Sequence, residues 1–409
     1  MFLQTKIIIK YTFIFLAVLL FFSCADMPFS NETPVPETEI TIDPKAPSAP
    51  SVPPAPPAPQ VDYLTIVAVG DNLIHEPIIR AGFSNGGYNY DFIYDKIRGY
   101  ILPADIAFVN QETVLVDKNL GYSGYPLFGS PKEIGTALVG MGFNVINHAT
   151  NHIMDKGEAG ILSSMDFWDS QGIHYLGIHR SEEERANRRI IISKNNFKVG
   201  FLSYTFSTNG IPLPRGKSWL VSMIDQGKMA ADIKALRPLC DYLIVSMHWG
   251  EEYKFNYSKE QERLAAFLAD QQVDLVIGHH PHVIEPLVIM KRKDGGTMPV
   301  FYSLGNFLSA HVTPIKDTLL GGIMYMKLKK TQETISIEEI GLVPIITHFD
   351  VSLSGFSIYP LQEYTEEMAA RHWNRRRGDN TVTHSYYMKT AADMFGANLI
   401  LENPFTKEK

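Results

Sequence analysis

The chain reads as an α/β protein. From Val61 onward, short apolar runs rich in β-branched residues recur along the sequence, and several follow stretches with helical spacing. With 45% hydrophobic and 20% charged residues among 409, it has enough apolar material for a substantial core, which excludes a wholly disordered chain. The strand-like runs are Leu64–Val69, Ile106–Val109, Val145–Ile146, Val199–Tyr204, Leu243–Met247, Leu275–Ile277 and Val300–Tyr302. Helical stretches are expected at Pro131–Met141, Glu158–Gln171 and Lys259–Gln271. Later, residues 322–329 and 334–340 read as a pair of strands, and residues 365–398 as helical with turns.

The first 23 residues read as an export signal. Lys6 and Lys10 supply a basic start, and Tyr11 to Phe22 is apolar apart from Thr12. A bilayer-spanning helix needs roughly 20 apolar residues, so this run is too short to cross comfortably. It ends at Ser23-Cys24, which resembles a bacterial lipoprotein signal: cleavage before Cys24 would leave that cysteine as the lipidated N-terminus. Phe21 departs from the pattern, which prefers an aliphatic residue there. The competing reading is an uncleaved anchor, or ordinary secretion with an idle thiol. Residues 24–60 form a linker, almost pure Ala, Pro, Ser and Val from Ser48 to Pro59, a composition that favours polyproline II and a disordered, stiff tether. Cys24 and Cys240 are the only cysteines, so lipidation of the first leaves no disulfide to form; Cys240, beside an apolar run, reads as a small core residue.

Ligand-type residues recur just after the apolar runs, and strand carboxyl ends are where open α/β sheets bind ligands. In order they are Asp71; Asn110 and Glu112; Asn151, His152 and Asp155; His248 and Glu252; His279, His280 and His282; and Asn306. Each alone has an ordinary explanation. Asp71 could cap a helix beginning near Leu73, an Asn at a strand end is commonly a turn residue, and His248 could be a hydrogen-bonded core histidine. Together they point to a metal site. Imidazole, carboxylate and amide oxygens suit Mn, Fe, Zn or Mg, and the lack of cysteine ligands argues against thiolate zinc. The formal net charge of -7 gives no reason to expect nucleic acid as a partner.

The strings VGDNLIH, FVNQETVL, NVINHATNHIMDKGEAGI, VSMHWGEEY, DLVIGHHPHVIEPL and FYSLGNFL, in that order across Leu64 to Thr347, resemble the CapA, or poly-γ-glutamate capsule biosynthesis, family. That family is similar in turn to the calcineurin-like metallophosphoesterases. The resemblance implies a four-layer α/β/β/α sandwich. It implies Asp71, Glu112, Asn151, His248, His280 and His282 as ligands of one or two divalent ions, with His152 facing the substrate's leaving oxygen. Asn110, Asp155, Glu252 and Asn306 would support the ligands or meet the substrate, and His279 is the non-ligand of its triplet. The phosphoesterases usually carry Asp-x-His in the first block, whereas His75 lies four residues beyond Asp71, which leaves the number of metals open.

The expected organisation is a signal over 1–23, a tether over 24–60, a CapA-like domain over 61–350 and a helical extension over 351–409. Three functions remain open: an envelope protein acting on poly-γ-glutamate or a related anionic polymer, with a polymer synthase or export complex as its partner; a phosphoesterase acting on a nucleotide, sugar-phosphate or lipid-linked substrate; and a non-enzymatic polymer-binding assembly factor. Replacing Cys24 by Ala is expected to release the protein from membranes and change its gel mobility, because two or three acyl chains give stable anchoring and none remains in the variant. Unchanged membrane retention in a fractionation experiment would refute lipidation at Cys24.

Overall fold

A computed structural model describes residues 60–311, 315–332 and 334–406. The export segment, Cys24 and the proline-rich linker up to Pro59 lie outside the described residues. Two large sheets form the body. The first runs in the order Ser357–Pro360, Ile335–His348, Leu320–Lys330, Asp62–Asn72, Ile106–Gln111, Val145–Asn147 and His174–Leu176, with Asn306–Leu308 paired to the end of Asp62–Asn72. The second runs Ile284–Lys291, Thr297–Leu304, Leu275–His279, Tyr242–His248, Phe197–Thr205 and Ile190–Lys194. Parallel strands occupy the middle of the second sheet and, in the first, run from Asp62–Asn72 out to the edge strand His174–Leu176. Such strands are covered on two faces, which is why Ile106–Gln111 and Tyr242–His248 are buried throughout and read as continuous runs rather than alternating ones.

Alternation survives as a choice between two cores. Leu243, Val245 and Met247 pack with Met229, Ile233, Leu264 and Leu268 from the helices Gln226–Leu236 and Lys259–Asp270. Tyr242 and Ile244, on the other face of the same strand, join the core that contains the first sheet. Across that interface Tyr242 Oη donates to Met326 Sδ at 3.5 Å, and Phe108 stacks on His279 with ring centroids 5.7 Å apart. Helices Lys132–Gly140 and Gly157–Gln171 complete the other outer layer, burying Ile134, Leu138, Ile161, Met165 and Trp168. The arrangement is the four-layer α/β/β/α sandwich that the resemblance implied.

Local chemistry fixes the helix ends. Ser258 and Gln261 form a reciprocal capping box at the start of Lys259–Asp270, and Gly172, at φ 65°, terminates Gly157–Gln171 in the left-handed conformation. Asp71 caps nothing: the helix after it starts at Glu76, and Asp71 itself is the penultimate residue of its strand. After residue 350 the chain is helical over Glu366–Arg371, Trp373–Arg376 and His384–Phe395, and it also contributes the edge strand Ser357–Pro360. Tyr387, Ala391 and Phe395 are buried in the core shared with the first sheet, so the described part of this segment belongs to the same body. Cys240 is half-buried against Gly200, and burial pushes its thiol pKa up, which fits a packing residue rather than a nucleophile. Among the described residues no helix is long and apolar enough to cross a membrane.

One close approach holds the strand that carries Asp71. A Cβ on Gly70 would lie 1.8 Å from the carbonyl oxygen of Gly305, whose own φ is +66°. The next residue, Asp71, donates its backbone N–H to that same oxygen at 2.9 Å. Only glycine fits at 70, because the obstacle is backbone and cannot rotate away. Gly70→Ala is expected to destabilise the fold by about 1–3 kcal/mol, in the range of core overpacking, and to displace Asp71. Urea melts together with metal content check this, and parental values for both would show that the approach is not limiting.

Candidate metal centre

Cross-strand register gathers the ligand-type residues. In the first sheet Asn306, Asp71, Asn110 and Asn147 are partners along one row; in the second, Thr205, His248 and His279 form another. Apart from Asn306, which opens its short strand, both rows lie at the carboxyl ends of parallel strands, and the two meet at one place. Asp71 accepts a hydrogen bond from Asn110 Nδ2 at 2.7 Å and from the backbone N–H of His280 at 3.2 Å, and lies 3.0 Å from His282 Nδ1. Asn110 in turn accepts from Asn147 Nδ2 at 2.6 Å, so one amide orients a second, which orients the carboxylate. His248 Nε2 lies 2.9 Å from Asn151 Oδ1 and 3.7 Å from Glu112 Oε1.

Glu112 is the centre of this group. It follows the strand Ile106–Gln111, is completely buried, and neither carboxylate oxygen has a hydrogen-bond partner. His282 Nε2 is 3.9 Å away, and Glu112, His280 and His282 each offer a ligand atom within 4.8 Å of the others. Burial pushes the Glu112 carboxyl well above the usual range, and the charge of Asp71 adds to the push while His282 opposes it. Burial also works to raise Asp71, but its hydrogen bond and attraction to His282 hold it below the ordinary value. His282 answers both carboxylates: burial would lower it, yet Glu112 and Asp71 raise it to about 9. His280 goes the other way, to about 3, because burial and the neighbouring His282 both disfavour its charge. A buried carboxylate without a hydrogen-bond partner, beside imidazoles of which His280 and His248 are held toward the neutral form and an amide oxygen, is the donor set of a hard or borderline divalent cation. The residues present therefore fit such an ion.

The turn that supplies two of the imidazoles is strained. His280 has φ +99° and His282 φ +60°, conformations that side chains rarely adopt. Pro281 limits the loop between them, and its carbonyl accepts from Tyr253 N–H at 2.8 Å. Asn306 Oδ1 sits 3.0 Å from His282 Nδ1 and its Nδ2 donates to Ser309 Oγ and to the Thr318 carbonyl, so Asn306 orients His282. His279 instead lies between the sheets on Phe108, outside the group formed by Glu112, His280 and His282.

His152 stands apart from the carboxylates. Its Nδ1 is 2.7 Å from Asp155 Oδ2, which also accepts from Phe128 N–H at 2.8 Å, and its ring packs edge-on to Phe128. The pair faces a cavity of about 590 Å³ that is also lined by Glu252, Tyr253, Asn209, His75 and His311. Glu252 is exposed on that wall. His75 belongs to the cavity wall: its Nδ1 accepts from Ala310 N–H at 3.2 Å and its ring lies 4.8 Å from that of His311. Sequence reasoning overlooked Asn209 and His311, and it gave no role to Tyr253 and Asn147, which stand among the polar residues after the apolar runs. Tyr253 and Asn147 sit inside the strings that carried the resemblance, and His311 follows the last of them by three residues, whereas Asn209 lies in a polar loop without any such signal.

The family model described as bacterial capsule synthesis protein PGA_cap matches residues 65–311. The PGA biosynthesis protein CapA of Bacillus subtilis (strain 168) is 28% identical over 256 residues, 60% of this chain and 63% of that protein. The capsule biosynthesis protein CapA of Bacillus anthracis is 27% identical over 253 residues, 60% of this chain and 59% of that protein. The match therefore spans less than two thirds of either relative's length. Among solved structures, the calcineurin-like phosphoesterase YfkN of Bacillus subtilis aligns with TM-score 0.40 and 13% identity over 81% of this chain and 99% of that one.

If the imidazoles of the turn hold metal, His280→Ala or His282→Ala lowers bound metal sharply, and His279→Ala changes it little while costing stability through the cavity it leaves. Glu112 adds a sign test. A carboxyl whose folded pKa is raised favours folding below its ordinary value of 4.5 and opposes it increasingly as pH rises. At pH 8, Glu112→Gln should thus raise the melting temperature of metal-free protein and abolish the further rise on adding Mn²⁺ or Zn²⁺. Calorimetry with elemental analysis checks both; equal metal in every variant would make the turn purely structural.

Proposed function

The chain belongs to the bacterial capsule synthesis protein family PGA_cap, and from that premise we propose that it is a divalent-metal-dependent hydrolase acting in the making or release of a capsule polymer at the cell envelope. The observation that carries the reading is the unpartnered carboxylate of Glu112, buried beside His248, His280 and His282. Asp71, Glu112, Asn151, His248, His280 and His282 would hold one or two ions. A bound ion supplies Lewis-acid polarisation of the scissile group.

The chain's own residues supply the rest. Asp155 fixes the His152 ring through Nδ1 and favours the tautomer that carries its proton there in the neutral state. Nε2 is then the nitrogen left to exchange a proton with substrate, and a protonated His152 can pass it to the departing oxygen or nitrogen. Asn110 and Asn306 keep Asp71 and His282 in place, and the surrounding sheets exclude water from the ligands while the cavity admits substrate. Lipidation at Cys24 and the tether behind it would hold this domain off a membrane, where a polymer synthase or export complex could present its product. Poly-γ-glutamate is the polymer that the family resemblance suggests; a phosphoester carried by an envelope precursor uses the same residues.

The test offers metal-loaded protein both γ-glutamyl polymer and a panel of phosphoesters. Turnover of either that disappears with chelator supports a hydrolase, and its absence with both substrate classes favours a non-enzymatic assembly factor. His152→Asn is expected to retain the metal and lose activity by a factor of about 10² to 10⁴. Loss of metal in parallel with activity would move His152 from proton transfer to ligation.

A further inference from the structure

The loops that carry Asn151 and His248 leave different sheets, and one further side chain reaches across from the second sheet to the first. Asn151 and His152 follow the first-sheet strand Val145–Asn147, whereas Asn209 lies in the loop after the second-sheet strand Phe197–Thr205. Asn209 Oδ1 accepts from Asn151 Nδ2 at 3.2 Å. At its other end, Asn209 Nδ2 lies 3.4 Å from both ring nitrogens of His152. Asp155 holds the proton of the neutral His152 ring on Nδ1, so Nε2 is an acceptor and the NH₂ end of Asn209 suits that side.

The two ends of an amide differ, and only the oxygen ligates a hard cation. Which end Asn151 turns toward His248 is therefore decisive. Asn110 Nδ2, a donor, lies 3.4 Å from His248 Nδ1, which makes that nitrogen the acceptor of the neutral ring and puts the ring proton on Nε2. Nε2 then donates to Asn151 Oδ1 at 2.9 Å, and it is also the nitrogen that faces Glu112, at 3.7 Å. A histidine sheds the proton from the nitrogen that ligates, and this bond is lost with it, because ring nitrogen and amide oxygen then both present lone pairs. The bond from Asn151 to Asn209 is not lost. Asn209 Oδ1 only accepts, so it binds the NH₂ of Asn151 in either state of His248.

The loop around Asn209 holds one conformation. Asn209 has φ +52° and Gly210 +75°, Asn209 N–H donates to Ser207 Oγ at 2.9 Å, and Thr208 Oγ1 donates to the Ile211 carbonyl at 2.7 Å. Asparagine enters the left-handed region more readily than most residues, and Asn209 is exposed, so it serves the core little. We infer that Asn209 is a positioning residue: it clamps the Asn151 amide so that the oxygen stays turned toward His248 and the ion. The inference rests on the metal-centre reading of Asn151.

Calorimetric titration of the full chain with Mn²⁺ compares the parent with Asn209→Gly and Asn209→Asp. Glycine keeps the left-handed backbone and deletes the clamp, whereas aspartate keeps an accepting oxygen at the same reach. Affinity is expected to fall about tenfold in Asn209→Gly, the range for groups that orient ligands, and to stay at least parental in Asn209→Asp. Melting temperatures of the metal-free proteins should be alike. A second readout is independent of charge and of metal: hydrogen exchange of the Asn151 side-chain NH₂ in metal-free protein, its NMR signal assigned by its loss in Asn151→Asp. Exchange should quicken in Asn209→Gly and stay slow in Asn209→Asp. Parental Mn²⁺ affinity in Asn209→Gly overturns the clamp and leaves the metal centre standing. Equal weakening in both variants, or weakening accompanied by a lower metal-free melting temperature, assigns the effect to the loop backbone and also overturns it. If the parent binds no Mn²⁺ the metal centre falls, and the clamp on Asn151 is kept by quickened exchange in Asn209→Gly alone and overturned by unchanged exchange.

Discussion

A carboxylate that is taken out of water without a hydrogen bond needs a cation, and Glu112 is in that position. Several kcal/mol oppose such burial unless charge is supplied nearby. The geometry around Glu112 is a set of partial answers. His282 leans toward charge because two carboxylates face it, whereas His280 and His248 are kept neutral by burial and by one another. Neutral imidazoles do not neutralise an acid, but they donate lone pairs well. The arrangement is therefore poor as a salt-bridge network and good as a coordination sphere.

The sheets make this possible because one row of register in each delivers side chains to the same end. Asp71 pairs with Asn110 and Asn110 with Asn147, so three polar residues lie side by side at the point where three parallel strands finish. Their side chains bond in sequence, and the last bond fixes the carboxylate. The second sheet brings His248 and His279 level with each other, after which the chain turns sharply and directs His280 and His282 back toward Asp71. Glycine at 70 lets the short strand Asn306–Leu308 close against this end, adding the amide that steadies His282.

Much of this was legible in the sequence because buried parallel strands and their polar ends leave a simple pattern: an apolar run followed at once by Asp, Asn, Glu or His. The runs at Ile106 and Leu243 fall inside strands whose residues are all buried, and Glu112 and His248 from their ends stand 3.7 Å apart. The division of apolar residues between two cores was not legible, since Tyr242 and Leu243 are both hydrophobic and only the packing shows which way each faces. Cavity residues were harder still. His75 and Asn209 reach the cavity from a helix start and a loop, and neither position follows the period of a strand or a helix. The left-handed backbone at His280 and His282 was also hidden, because histidine carries no such preference as glycine does.

The bond between the backbone of His280 and the carboxylate of Asp71 joins residues 209 positions apart. Closing so long a stretch of chain is slow relative to local helix formation, and contacts of this kind form late when native topology governs folding rate. In the unfolded chain the six oxygen and nitrogen donors are therefore dispersed, and no short segment collects enough of them to chelate an ion tightly. Were these residues to bind an ion, its capture would follow completed folding rather than trigger it, unlike small domains that fold around their zinc. A chain that met an ion only after both sheets had docked would take whichever cation is available in the compartment where it finally folds.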